Sequence, residues 1–243
     1  MRKLRSRLWP LLLATLLAAC VAGPAPGPAP VSQPAPTSAR LDANTAARNF
    51  AEVVATVKPV AERECRARNP RLNCDFMIVV DDRPGQGPNA FQTIDRSGRP
   101  VIGFTLSLIA DARNTDELAF ILGHEAGHHI AGHIPRAQQS ALAGALILGT
   151  LTALGGGDAA AVRTAQDVGA TVGVRTFSRE FELEADRYGA AIALRAGYDP
   201  LRGARFFERI PDPGNRFLAS HPPNAERMQV VRAEVARLRG ISG

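Results

Sequence analysis

The chain has 243 residues, 45% hydrophobic and 21% charged, with 22 Gly and 18 Pro. That composition excludes a collagenous or wholly disordered protein and is enough for one globular core. The formal net charge is +6, but Arg2, Lys3, Arg5 and Arg7 lie in residues 1–19, which hold no acid; without them 25 basic groups face 23 acidic ones, so no nucleic-acid partner is expected.

Residues 8–19 form a short apolar run between that basic flank and Cys20. A helix crossing a bilayer needs about 20 apolar residues, so residues 1–19 read as a signal peptide. Leu17-Ala18-Ala19-Cys20 resembles the bacterial lipobox, in which the cysteine is lipidated and becomes the first residue of the mature protein. Val21 in place of Asp resembles the lipoproteins sent to the outer membrane. Residues 21–39 hold six prolines and no charge, which favours an extended polyproline spacer. The expected organisation is therefore a lipoprotein signal peptide over 1–19, a lipidated Cys20 with a Pro-rich linker over 20–40, and a domain over 41–243. The expected location is the bacterial cell envelope, facing the periplasm, with the membrane reached through the lipid anchor. Cys65 and Cys74 remain as an even pair in an oxidising compartment, where a disulfide is expected.

Helical spacing of Ala46, Phe50, Val53, Val54, Val57 and Ala61 predicts a helix over 42–68 that Pro59 should kink or divide. Residues 75–81 read as a strand, and 90–95 with 100–105 as a small hairpin. A short helix is predicted over 106–112. A capped helix starts at Asn114 and runs out before Pro135. Residues 137–154 are rich in Ala, Leu and Gly and too short for a membrane span, so a buried or mobile helical hairpin near the active site is expected. Further helices are predicted over 178–196, ending at Gly197, and over 224–239. The expected fold is α+β, mainly helical with a small antiparallel sheet.

The strongest chemical signal is Gly123-His124-Glu125-Ala126-Gly127-His128-His129. Two histidines four apart share a helix face and can hold one Zn²⁺, and Glu125 beside them is placed to act as general base on water. His129 and His133 form a second pair at the same spacing, but Ile130 follows His129, so that pair lacks the adjacent acid; His133 reads as structural. A catalytic zinc needs a third protein ligand. Glu182 and Asp186 are four apart on a predicted helix, so either one could bind the metal while the other orients a histidine. Glu180 and Glu184 fall on other faces.

Four blocks resemble the zinc metallopeptidase family that contains HtpX, BepA and the CAAX prenyl protease. They are Pro88-Asn89-Ala90-Phe91; Asp116-Glu117-Leu118-Ala119 running into His124–His128; Ser178-Arg179 through Glu182 to Ala185-Asp186; and Ser220-His221-Pro222-Pro223 with Arg227. The resemblance implies a zincin-like metallopeptidase domain with one zinc on His124, His128 and Glu182, and Glu125 as general base and acid. It also implies Asp186 behind a ligand histidine, His221 at the oxyanion, and Arg227 as a weaker candidate. The strand around 101–105 is the expected edge for an extended peptide. The chain is more similar to the short periplasmic lipoprotein type than to the membrane-embedded members, since no segment reads as long enough to span. The implied function is cleavage of unfolded or misassembled envelope polypeptides; the alternative is a chaperone or assembly factor working with the outer-membrane protein assembly machinery.

Overall fold

The computed structural model describes residues 41–210 and 222–240. The signal peptide, Cys20, the linker and His221 lie outside the described residues.

The domain is built around one buried helix. α1 (Ala43–Arg68) is capped by Asp42 and runs through Pro59 without a break. A proline removes one helical hydrogen bond, yet Val53, Val57, Val60 and Ala61 on both sides of it are buried, and that packing holds the helix together. α1 is pinned at its far end by the Cys65–Cys74 disulfide, with Cα atoms 5.8 Å apart.

β1 (Met77–Asp81), β2 (Ala90–Ile94) and β3 (Pro100–Thr105) form a sheet of order β1-β3-β2. β2 and β3 are the expected antiparallel hairpin, with Phe91 opposite Gly103. β1 runs parallel to β3, so the sheet is mixed. This corrects the expectation for 101–105: β3 is the central strand, buried along its whole length. The free edge on the hairpin side belongs to β2. Short-range alternation could reveal the hairpin, whereas the parallel partner depends on a crossover that leaves no local signature.

α2 (Leu106–Asp111) leads to α3 (Thr115–Ile130), whose first turn is capped by Asn114. The chain turns at Gly132, in the left-handed region at φ 66°. α3 therefore stops there and α4 (His133–Leu154) begins, with Pro135 inside the first turn of the new helix. α5 (Ala159–Arg195) is far longer than predicted and ends at Gly197, φ 89°. α6 (Pro200–Gly203), a 3-10 turn (Ala204–Glu208) and α7 (Asn224–Leu238) complete the fold.

α3 packs against α1 and the sheet on one side and α5 on another, and nearly all of its residues are buried. Phe76, Phe104, Leu108, Leu118, Leu122 and Ile192 fill the main core. A second cluster of Phe120, Phe207, Met228, Val231 and Val235 fixes α7 to the domain. The predicted α4 segment is a helical hairpin with α5, but it is exposed: Leu142, Leu146, Ile147 and Leu151 face solvent. By length and composition α4 is also apolar enough to cross a membrane, which corrects the expectation that no segment is long enough to span.

Candidate metal centre

Two glycines on α3 decide how close α5 comes. A Cβ on Gly127 would lie 2.6 Å from the Tyr188 Cβ, and one on Gly123 would lie 3.1 Å from the Gly189 Cα. Without side chains there, the helices approach until Glu182 and Asp186, one turn apart on α5, reach the histidines of α3.

The Nε2 atoms of His124 and His128 are 3.1 Å apart. Glu182 lies 3.6 Å from the first through Oε2 and 3.5 Å from the second through Oε1. Tetrahedral zinc with ligands at about 2.0–2.1 Å separates its donor atoms by about 3.3 Å, so this triangle has the size that such an ion requires. Among the described residues these three form the metal-capable cluster. Glu125 is buried next to them and lines the same cleft.

The outward nitrogens of both histidines are engaged. His124 Nδ1 donates to Asp186 Oδ1 at 2.9 Å, and Asp186 is fully buried. Arg227 closes on the same carboxylate, Nε to Oδ2 at 2.8 Å and Nη2 to Oδ1 at 2.7 Å. Its guanidinium lies 3.8 Å from the centre of the Phe207 ring. Arg227 is thus a buried clamp and not a surface charge.

On the other side, His128 Nδ1 meets His133 Nδ1 at 2.8 Å, and His133 Nε2 reaches Glu184 at 3.2 Å. Arg136 donates to the same Glu184 oxygen at 2.7 Å. One tautomer set satisfies the whole chain: His128 donates from Nδ1 to His133, which donates from Nε2 to Glu184. Both ligand-type Nε2 atoms are then left as acceptors.

Burial, reinforced by the charge of His124, pushes the pKa of His128 down to about 3. Burial acts the same way on His124, but the hydrogen bond and charge of Asp186 outweigh it and its pKa is raised. Burial opposes charge on Glu184, yet the hydrogen bonds from Arg136 and His133 hold it below the ordinary carboxylate range.

The site sits between two clefts. One, of about 360 Å³, is bounded by Ala90, Phe207 and Arg227; the other, of about 260 Å³, by Gln92, His133 and Phe181. Both include Glu125, His128 and Glu182. Ala90 and Gln92 are alternate residues of β2, so the free strand edge follows the groove past the metal-capable triangle.

His133 and Glu184 were not legible as parts of this site. The spacing gave His133 a structural role and placed Glu184 on another face, because the reversal at Gly132 that carries His133 back to His128 is a tertiary event. The only signal present was Gly132 itself, followed at once by a histidine.

The sequence pattern of peptidase family M48 matches residues 47–235. The chain is similar to metalloprotease LoiP of Escherichia coli, 29% identical over 130 residues that make up 51% of each protein. It is also similar to the beta-barrel assembly-enhancing protease of Yersinia pestis, 30% identical over 182 residues, 68% of this chain and 35% of the relative. A mitochondrial metalloendopeptidase of Arabidopsis thaliana is 27% identical over 135 residues, 54% of this chain and 27% of the relative. The chain spans about half of these relatives' lengths or less. With a match that runs from α1 to α7 and takes in the whole triangle, the chain belongs to peptidase family M48, the zinc metallopeptidases.

Proposed function

We propose that the protein is a zinc-dependent metalloendopeptidase of the bacterial cell envelope. The observation that carries this reading is the convergence of His124 Nε2, His128 Nε2 and Glu182 on one point, with Glu125 beside it. His124, His128 and Glu182 hold the zinc, Asp186 and His133 orient the two imidazoles, and Arg227 holds the Asp186 carboxylate in place through two hydrogen bonds. Zinc bound there supplies Lewis acidity, polarising the scissile carbonyl and making water nucleophilic near neutral pH.

The remaining work falls to side chains of this chain. Glu125 takes the proton of the attacking water and returns it to the leaving amine, so the peptide C–N bond breaks with no net change in protons. An extended substrate adds to the free edge of β2, antiparallel or parallel main-chain bonds holding it in register. A groove that continues on both sides of the site accepts the middle of a chain, which favours endopeptidase over terminal cleavage. His221, from the Ser-His-Pro-Pro block, is proposed as the oxyanion donor, a role worth several kcal/mol in such sites.

The substrates we propose are unfolded or misassembled envelope polypeptides. The supporting observations are the export-type residues 1–19 and lipobox-like Cys20 and relatives named for beta-barrel assembly. In this reading residues 20–40 tether domain 41–243 to a membrane, the outer membrane by the residue after Cys20. Purified protein should carry about one zinc per chain and lose peptide cleavage on chelation, regaining it with zinc. Less than about half an equivalent after gentle purification would contradict a resident zinc site.

A second reading, an assembly factor for outer-membrane proteins with latent protease activity, is favoured by the same relatives' names. If Glu125→Gln protein restores envelope assembly in a strain lacking the wild type, that reading prevails; if it does not, proteolysis is the function.

A further inference from the structure

The α4–α5 hairpin is packed the wrong way round for water. Small residues line its seam: a Cβ on Gly144 would overlap the Gly169 carbonyl, and one on Gly173 would overlap the Ser140 carbonyl. The large apolar residues of α4 point outward, with Leu142, Ile147 and Leu151 each about 60% exposed and Leu154 81% exposed. A hairpin made for water buries its leucines between the helices and exposes small or polar residues. Helices made for lipid do the reverse, because hydrocarbon gives large side chains no reason to turn inward and close backbone approach supplies the packing.

The charge pattern agrees. Residues 137–157 contain no charged side chain. On α5, Thr164, Asp167, Thr171 and Arg175 are exposed and, by the helical period, lie away from the seam. Val168 and Val172 are exposed among them, so the hairpin has an uncharged apolar side, α4, and a mixed side on α5 that carries its charges, Arg163, Asp167 and Arg175. The apolar stretch of α4 from 137 to 154 is about 27 Å long, and α4 packs chiefly on α5.

We propose that this hairpin is a membrane-seated element: the outer face of α4 lies in the acyl region of a bilayer while the charge-bearing side of α5 remains at the headgroups. Arg163 and Asp167 on α5 make full crossing by both helices costly, so the hairpin lies in the interface. The bilayer is the occupant argued for because residues 1–40, which precede α1, end an apolar export-type segment at Cys20 and leave about 20 residues of spacer. In this respect the inference rests on the membrane attachment proposed above. Its consequence is positional. Ile134, Ala137 and Ser178 at the root of the hairpin border the second cleft, so a seated hairpin brings the groove to polypeptides lying at the membrane surface.

The test uses the full chain carrying Trp9→Phe, which removes the one native tryptophan, and Leu146→Trp as reporter. The protein is purified from membranes and reconstituted in phosphatidylethanolamine/phosphatidylglycerol vesicles with brominated acyl chains. The expected result is blue-shifted emission that the brominated chains largely quench. Adding Ile147→Glu and Leu151→Glu should abolish the quenching while cleavage of a short soluble peptide persists. Unquenched, solvent-like emission overturns the proposal. So does shielded emission that escapes bromine quenching and grows with protein concentration in lipid-free buffer, which gives the face to a second copy. The mass of the purified chain reads the lipid on Cys20 separately. Lipid without quenching rejects the seated hairpin and leaves the anchor; quenching without lipid rejects the anchor and leaves the hairpin.

Discussion

Asp186 joins His124 to Arg227: its Oδ1 accepts from His124 Nδ1 at 2.9 Å and from Arg227 Nη2 at 2.7 Å. A buried carboxylate in this position fixes the imidazole tautomer and makes the opposite nitrogen a better ligand. Asp186→Asn should therefore weaken zinc binding by about 10- to 100-fold, measured by competition with a chromogenic chelator. Arg227→Leu leaves Asp186 buried without its cation and should cost about 3–5 kcal/mol of stability; a melt unchanged from wild type would show that the clamp carries no such energy.

The second histidine is held differently, through His133 and Glu184. Replacing His133 with Leu fills the space but leaves His128 Nδ1 without its partner. Zinc affinity should fall by about tenfold or more while the circular dichroism of the fold is retained. Glu184→Gln, one bond further out, should produce a smaller loss. Equal affinity in both variants would mean that His128 needs no orienting partner.

Gly127 controls the approach of α5. A Cβ there falls 2.6 Å from the Tyr188 Cβ, an atom that moves only with its backbone. Gly127→Ala should destabilise the protein by about 1–3 kcal/mol and, by pushing Glu182 back, reduce metal retention. Denaturant midpoints and metal content measure the two effects, and loss of metal without loss of stability would contradict the packing argument.

Much of the site was readable because it depends on short helical spacing. His124, Glu125 and His128 lie within five residues, and Glu182 and Asp186 within five more, so one helical period places each group on one face. Asn114 and Gly197 likewise mark helix ends through local backbone chemistry, whereas the break at Gly132 falls within the helix expected to run on to Pro135. What spacing could not carry was contact between distant segments. Pro59 is tolerated because flanking turns are buried against the core. β3 became central through a parallel partner more than 20 residues away, and α4 is exposed although its composition reads as core. Glu184 joined the site only through the reversal at Gly132.

The pH dependence of the metal-free protein follows from its histidines. Burial holds His128 at about 3 and lowers His129 and His133 as well. The unfolded chain protonates each below about pH 6.5. The unfolded state then binds more protons, so the stability contributed by these three is complete above about pH 6.5 and declines as pH falls toward their folded values. His124, whose pKa is raised, acts with the opposite sign, leaving three groups against one. Urea midpoints of chelated protein should drop between about pH 8 and about pH 5; a rise over that interval would contradict the balance.

Reduction offers an independent check on the α1 end. Cys65 and Cys74 close a loop with a sequence separation of 9, for which the loss of the bond should cost about 2–3 kcal/mol. A melting curve with and without reductant measures it, and coincident curves would show that the bond adds no stability.

In the proposed mechanism Glu125 handles the proton for hydrolysis at a site where His124, His128 and Glu182 would hold zinc. Glu125→Gln keeps the size of the side chain and removes its basicity. The variant should bind zinc as the wild type does and lose casein cleavage by at least about 100-fold. Casein cleavage at the wild-type rate by zinc-loaded Glu125→Gln protein would contradict the account.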